Sequence, residues 1–310
     1  MSKTLSEGSI NAIADFFYQH SGIRLEASKR HLVVSRLARE AVRLQCHTLN
    51  NYVALILAAP QSAEARHVVD ILTTNETYFF RESAHFMHLA QLLRHDTCMQ
   101  SLRVWSAAAS SGEEAYSIAM TLARHAGLRP WEVVGTDLST RVVAQARQGL
   151  YATERCARIT LPDLKRWCLR GEGAHEGQVL MNRELRAKVR FEVGNLLEPM
   201  PELGQFDIIF LRNVLIYFEG EAKSQILHFE TNVDDEVTID DAHPLRFAEE
   251  EGTGGLKPYV MVRAGLEALV SRALFYDLAA AGMVEDGWFG VWSSGRFYRM
   301  QKAAEIGIAS

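Results

Sequence analysis

One stretch constrains this chain more than any other: Arg103-Val-Trp-Ser-Ala-Ala-Ala-Ser-Ser-Gly-Glu-Glu-Ala-Tyr-Ser-Ile-Ala-Met120. It opens on a short apolar run, Leu102 to Trp105, the pattern of a strand buried on both faces. Only small residues follow, Ser106 to Gly112, and there backbone can approach a ligand closely. Ala115, Ile118, Ala119 and Leu122 then recur at helical spacing. Strand, tight loop and helix in that order build a ligand site at the carboxyl end of an open α/β sheet.

What the loop lacks narrows the ligand. It has one glycine, Gly112, and no Lys-Ser/Thr, so it is not a P-loop, and it lacks the full G-x-G-x-x-G of a pyrophosphate binder. Glu113 and Glu114 stand where a phosphate would want amides and cations. Acids there suit a ligand with positive charge and ribose hydroxyls. They also suit a plain helix start, because Ser110-x-x-Glu113 has the form of a capping box. The second apolar run, Trp131 to Asp137, ends in an acid. Asp137 stands where a mononucleotide-binding half holds ribose hydroxyls, or else it is the N-cap of a helix from Leu138 to Arg147. Taken together, loop and Asp137 favour a nucleoside ligand without a polyphosphate, and S-adenosylmethionine fits.

Length and charge bound the rest. A chain of 310 residues predicts two or three domains, and 48% apolar residues allow a sizeable core. A net charge of -5 argues against nucleic acid as the main partner. Cys46, Cys98, Cys156 and Cys168 form no C-x-x-C, and no His/Cys group has zinc spacing, so no metal is expected and the thiols read as free in a reducing cytosol. No signal peptide and no apolar run of about 18 residues is present, so a cytoplasmic protein without membrane insertion is expected.

From Leu5 to about Arg81 the pattern is helical, with stripes at Ile10, Ile13, Phe16 and Phe17, at Leu32, Val33, Leu37, Ala41 and Leu44, and from Tyr52 to Leu57. The second stripe carries Lys29, Arg30, Arg36, Arg39 and Arg43 against Glu40. Such a basic face is either simply solvated or docks an acidic partner. The polar and aromatic stretch Ile71 to Arg81 is a candidate lid, or a helix cap with an aromatic staple. His85 and His88 flank Phe86 on a helix expected to pack on the sheet.

Five blocks, in order, carry a family resemblance: Leu72-Thr-Thr-Asn-Glu-Thr to Arg81, Trp105 to Met120, Gly135-Thr-Asp137, Phe191 to Leu197, and Phe206 to Phe218. From about Ile10 to Leu227 the chain resembles the CheR family of chemotaxis methyltransferases, which methylate glutamate side chains of chemoreceptors. The resemblance implies an α/β fold: a helical N-terminal domain (1–81), then a class I, Rossmann-like methyltransferase domain (82–228) with a possible small inserted subdomain at 151–190. It implies S-adenosylmethionine as cofactor and S-adenosylhomocysteine as product. The positions matching the family's cofactor contacts are Asn75, Thr77, Arg81, Glu113, Asp137, Asn195 and Leu196, with Arg212 and Asn213 at the same rim. Arg81 and Tyr217 match the pair placed near the target carboxylate. The basic second helix matches the one that faces the receptor's cytoplasmic helical bundle, and a monomer is expected. Alternation in the insert is weak, so tethering of a receptor tail is not supported by its residues.

From near His228 the chain departs from that family. Residues 229–310 form an atypical α+β segment that resembles a small bacterial domain of unknown function, through Thr-Asn-x-x-Asp-Glu-Val, His-Pro-Leu-Arg-Phe and Val-Trp-Ser-x-Gly. Tyr259 to Val262 is a surrogate fifth strand, and Trp288 to Met300 a hairpin that would close the apolar edge of Phe206 to Leu211. A separate lobe, with a helix from Leu266 to Ala279, is the alternative the intact words favour. Two other functions compete with methyl transfer: a non-catalytic adenosyl-ligand-binding signalling module, and an inactive remnant.

Overall fold

The computed structural model describes residues 4–25, 27–95, 101–204 and 206–218, Ala222, Gln225 and Ile226, and then four strands between 261 and 300. The chain divides into two units, Met1–Asn75 with Leu138–Arg141, and Glu76–Asp137 with Val142–Ser310.

In the first unit α1 (Glu7–Ser21), α2 (Arg30–Arg43), α3 (Leu49–Ala58) and α4 (Ala63–Leu72) share one core. The expected stripes are the buried ones, with Ile13, Phe16 and Phe17 meeting Val33, Leu37 and Ala41. Ser6, Thr48 and Ser62 cap their helices by accepting a backbone N–H from the first turn, and Gly22 ends α1 at φ 68. The helical pattern stops earlier than expected, at Leu72. Thr73 turns to extended backbone, and the Arg36 guanidinium donates to the carbonyls of Ile71, Leu72 and Thr73 at 2.8, 2.9 and 3.2 Å. It satisfies carbonyls that a helix end leaves open.

Arg36 is therefore a structural cap rather than part of an outward basic face. Arg43 is likewise engaged, with Glu40 at 2.6 Å and Glu64 at 2.5 Å, and Arg30 meets Glu7 at 2.7 Å. Glu40, Glu64 and His67 bring three possible metal-ligand atoms within 4.8 Å of one another, but Arg43 already binds both carboxylates.

The second unit opens with α5 (Ser83–His95), followed by β1 (Leu102–Ala107), α6 (Glu113–His125), β2 (Trp131–Asp137) and α7 (Thr140–Gln148), whose first turn belongs to the helical unit. An insert follows: β3 (Leu150–Ala152), α8 (Leu161–Trp167), β4 (Cys168–Arg170) and β5 (Gln178–Met181). Its strands form an antiparallel sheet in the order β3-β5-β4, clearer than the weak alternation suggested. Then come α9 (Arg183–Arg186), β6 (Val189–Val193) and β7 (Ile208–Leu211).

The main sheet runs β6-β2-β1-β7 in parallel. Its register aligns Ala107 with Thr136 and with Leu211, and Asp137 with Val193, so the carboxyl ends of the four strands meet at one rim. Strands β1, β2 and β7 are largely buried on both faces, as parallel strands covered by helices are. Gly135 is required within β2, because a Cβ there would lie 2.6 Å from the Phe191 ring of β6.

Beyond β7 the sheet continues. β8 (Met261–Arg263) pairs antiparallel with β7, Val262 opposite Ile209, and β9 (Glu267–Ala268) pairs with β8. At β8 and β9 the segment thus adds edge strands to the main sheet, as the surrogate-strand alternative expected. The physical reason is that β7, buried along its whole length, leaves an open ladder that a neighbour must satisfy. The hairpin is present as β10 (Phe289–Ser293) and β11 (Arg296–Met300), but these pair with each other and not with β7. Glu267 and Ala268, expected within a helix from Leu266 to Ala279, lie instead in β9, and the rest of that stretch lies outside the described residues. Among the described residues no helix is long and apolar enough to cross a membrane.

Candidate active site

The rim is built first from the loop between β1 and α6. Ala108 and Ser110 take φ of 63 and 50, and Gly112 takes 95. Gly112 is itself the N-cap of α6, and a Cβ on it would meet Ala146 at 2.9 Å and Phe191 at 3.0 Å. The capping-box expectation is thereby corrected. Ser110 sits two residues before the cap, out of register, and its backbone N–H donates instead to Asp137 Oδ2 at 2.8 Å. Helix α7 begins at Thr140 rather than at the expected Leu138, and Asp70 within the helical unit accepts from the Thr140 amide at 2.9 Å and its hydroxyl at 2.6 Å. Asp137 is buried at the tip of β2 and shapes the loop opposite.

Six described non-glycine residues have positive φ, and five of them, Phe80, Glu82, Ala108, Ser110 and Asn213, fall in segments 80–82, 108–110 and the turn after β7. Left-handed backbone without glycine costs energy and concentrates where function over-determines it.

Arg212 joins two of these segments. Its guanidinium is almost wholly buried and donates to Glu114 Oε2 at 2.9 Å, to the Arg81 carbonyl at 2.6 Å and to Glu82 Oε2 at 3.3 Å. Asn213 Nδ2 donates to Glu82 Oε1 at 3.2 Å, and the Ser106 hydroxyl donates to Glu114 Oε1 at 2.7 Å. Burial pushes the Glu114 carboxyl up, against the opposing pull of Arg212. At Glu82 burial also pushes upward, but Arg212 and Asn213 outweigh it and its carboxyl lies below the ordinary value. Arg212 and Asn213, matched to cofactor contacts from the sequence, here act on segment 81–82. Arg81 donates to the Glu76 carbonyl at 2.7 Å and lies 5.7 Å from the Tyr78 ring.

Glu113, first residue of α6, is fully buried and accepts from the Ser111 hydroxyl at 2.7 Å. It forms an ion pair with Arg155, a residue that sequence reasoning missed. Arg155 also donates to the Thr77 carbonyl at 3.0 Å and to Ser111 Oγ at 3.3 Å. No local pattern marks Arg155, since it comes from the turn after β3 in the weakly patterned insert. Tyr151 beside it donates to the Ser111 carbonyl at 2.7 Å. On the β6 side of the rim, Asn195 accepts from the Leu197 amide at 3.1 Å and Leu196 is buried. Tyr217 ends a short turn, Leu215–Tyr217, beyond β7. Asn75 closes the helical unit.

This donor set suits a cationic nucleoside. Buried carboxylates at Glu113 and Asp137 flank a loop of small residues, and no lysine or glycine-rich cradle is present for phosphates. Fold and rim define a class I, Rossmann-like methyltransferase. Comparison with known proteins is consistent: residues 9–73 match the CheR methyltransferase all-alpha domain and residues 75–236 the CheR methyltransferase SAM binding domain. The chain belongs to the CheR methyltransferase family, and S-adenosylmethionine is its cofactor. It is 41% identical to a chemotaxis protein methyltransferase of Salmonella typhimurium over 72% of this chain and 78% of that protein. The figures are 42%, 72% and 78% for the Escherichia coli protein, and 41%, 69% and 78% for chemotaxis protein methyltransferase 2 of Pseudomonas aeruginosa. Residues 212–300 match the C-terminal domain of a protein of unknown function, DUF1285, which agrees with the sequence departure after residue 228.

Proposed function

We propose that this methyltransferase transfers a methyl group to glutamate side-chain carboxylates of chemoreceptors, in the cytoplasm. The observation that carries the reading is the buried Arg212 clamp, which fixes the backbone of Arg81 to the first turn of α6 at the end of β7. That is the rim at which open α/β sheets hold ligands. Bound S-adenosylmethionine supplies an electrophilic methyl on a sulfonium that departs as a neutral thioether. A glutamate carboxylate with a reference pKa near ~4.3 is already ionised at neutral pH, so the chain needs no general base. What it contributes is placement. Asp137 holds ribose hydroxyls, and Glu113, Thr77, Asn195 and Leu196 complete the cofactor site. Arg81 orients one oxygen of the target carboxylate and Tyr217 the other. In-line placement of this kind is worth about 7–11 kcal/mol at most. An arginine bound too tightly to the carboxylate would blunt the nucleophile, so Arg81 acts by orientation. Pairing of β8 with β7 supports a completed sheet and disfavours an inactive remnant.

The test is incubation of the chain with methyl-labelled S-adenosylmethionine and a chemoreceptor cytoplasmic fragment. Label released as methanol by mild base marks a carboxyl ester. Label stable to base, or none in the presence of bound cofactor, would overturn the reading.

A further inference from the structure

The insert sends one cation into the rim. Arg155, in the turn Thr153–Cys156, touches three things at once: the Glu113 carboxylate, the Ser111 hydroxyl and the Thr77 carbonyl. Those contacts tie the first turn of α6 to the segment preceding α5 through a residue outside the main sheet. Glu113 is fully buried, and a carboxylate there without a cation would be costly. Arg155 itself is only partly buried, with its side chain 37% exposed, so it reaches the site from outside.

We propose that Arg155 is a positioning residue for S-adenosylmethionine: by pairing with Glu113 it holds the 111–113 turn in the geometry that receives the cofactor, and so makes the inserted subdomain part of the cofactor site. The proposal rests on the reading of Glu113 as a cofactor contact. It assigns the insert a task inside the methyltransferase domain, whatever its outer face binds. Burial pushes the Glu113 carboxyl upward, while Ser111 and Arg155 pull it back. The other titratable groups facing Glu113 are Tyr151 on β3 and Cys156 in the same turn. Burial raises both, the Cys156 thiol to about 11, so they stay protonated near neutral pH. Once Arg155 is removed, burial acts on Glu113 with less to oppose it, and its carboxyl is pushed further up.

The experiment is calorimetric titration of the full chain with S-adenosylhomocysteine between pH 6 and 8.5, with a thermal scan of each variant. R155Q is expected to bind at least fivefold more weakly at pH 7, with the loss growing toward pH 6 and shrinking toward pH 8.5. R155K is expected to stay within threefold of the parent at pH 8.5. In an E113Q background R155Q is expected to cost nothing further. Weak binding by E113Q with normal binding and a normal pH profile in R155Q would overturn this proposal and leave the Glu113 assignment standing. Unchanged binding by E113Q would overturn that assignment instead. Should R155Q lose its thermal transition, the double variant removes the orphaned charge; it must then fold and bind as E113Q does, and weaker binding would overturn the proposal.

Discussion

Arg212 donates a 2.6 Å hydrogen bond to the carbonyl oxygen of Arg81, so a buried cation at the end of β7 sets the backbone of the residue proposed to face the target carboxylate. The same guanidinium neutralises Glu114 and Glu82. Replacing it with Met leaves two carboxylates without their cation. Breaking a buried pair in this way costs about 3–5 kcal/mol, equivalent to a fall in Tm of roughly 10 °C for a domain of this size. Differential scanning calorimetry of Arg212→Met checks this. A fall of less than about 2 °C would mean the clamp is dispensable to the fold.

Asp137 has two tasks that substitutions separate. Its Oδ2 accepts the Ser110 amide, which Asn can also do, whereas ribose hydroxyls are held best by the charged acceptor. Asp137→Ala is expected to weaken S-adenosylmethionine binding at least about tenfold, or ~1.4 kcal/mol, and Asp137→Asn by less. If Asn and Ala weaken binding equally, the charge toward the ribose, not the loop contact, carries the effect. If neither does, the assignment of Asp137 fails.

Much of this was legible in order. The run Leu102 to Gly112 announced strand, loop and ligand rim because its apolar and small residues have few other uses, and Asp137 was found by its place at the end of an apolar run. What stayed hidden was pairwise. Asp70 at the start of α7, Arg36 as the cap of α4 and Arg155 on Glu113 each join residues 35 or more positions apart, and no periodicity encodes such a meeting. The Ser110-x-x-Glu113 spacing misled for a related reason: the loop's left-handed residues shift the true N-cap to Gly112. Strand β8 was legible only as one of two options, since an apolar segment does not state which edge it will cover.

His85 makes stability depend on pH. Burial, then the Arg212 cation and His88, push its imidazole down to about 2, and these outweigh the Glu82 carboxylate 3.6 Å away. The folded-state value is depressed, so below pH ~6.5 the unfolded chain binds a proton that the folded chain refuses. Stability is therefore full above that pH and falls with acidification, by about 1.4 kcal/mol per pH unit, or ~2 kcal/mol between pH 6.5 and 5. His88, also lowered by burial, adds in the same direction. Urea unfolding at pH 7, 6 and 5 should show a steeper loss in the parent than in His85→Gln. Parallel curves would show that His85 ionises in the folded protein.

Tyr217 ends its turn beside the Arg212-Asn213 pair in sequence, and its hydroxyl is the part proposed to meet the target carboxylate. Removing that hydroxyl should touch the transition state more than the cofactor. Tyr217→Phe is therefore expected to lower kcat by about tenfold or more while changing S-adenosylhomocysteine affinity less than about twofold. Equal losses in both would make Tyr217 a structural residue.

The edge of β7 offers the last test. Ile208, Ile209, Phe210 and Leu211 are all buried, and β8 pairs with them at Ile209 and Phe210. Ending the chain after residue 228 removes that partner and leaves an apolar strand with open backbone groups, a template for pairing with other copies. The truncated chain is expected to aggregate, eluting ahead of the parent in size-exclusion chromatography, and to lose cofactor binding with it. Restoring residues 229–300 should restore the parent's elution, because the need is for a partner strand and not for any one side chain. A truncated chain that elutes at its own mass and binds S-adenosylhomocysteine would show that β7 tolerates an open edge, and that β8 contributes nothing to the site.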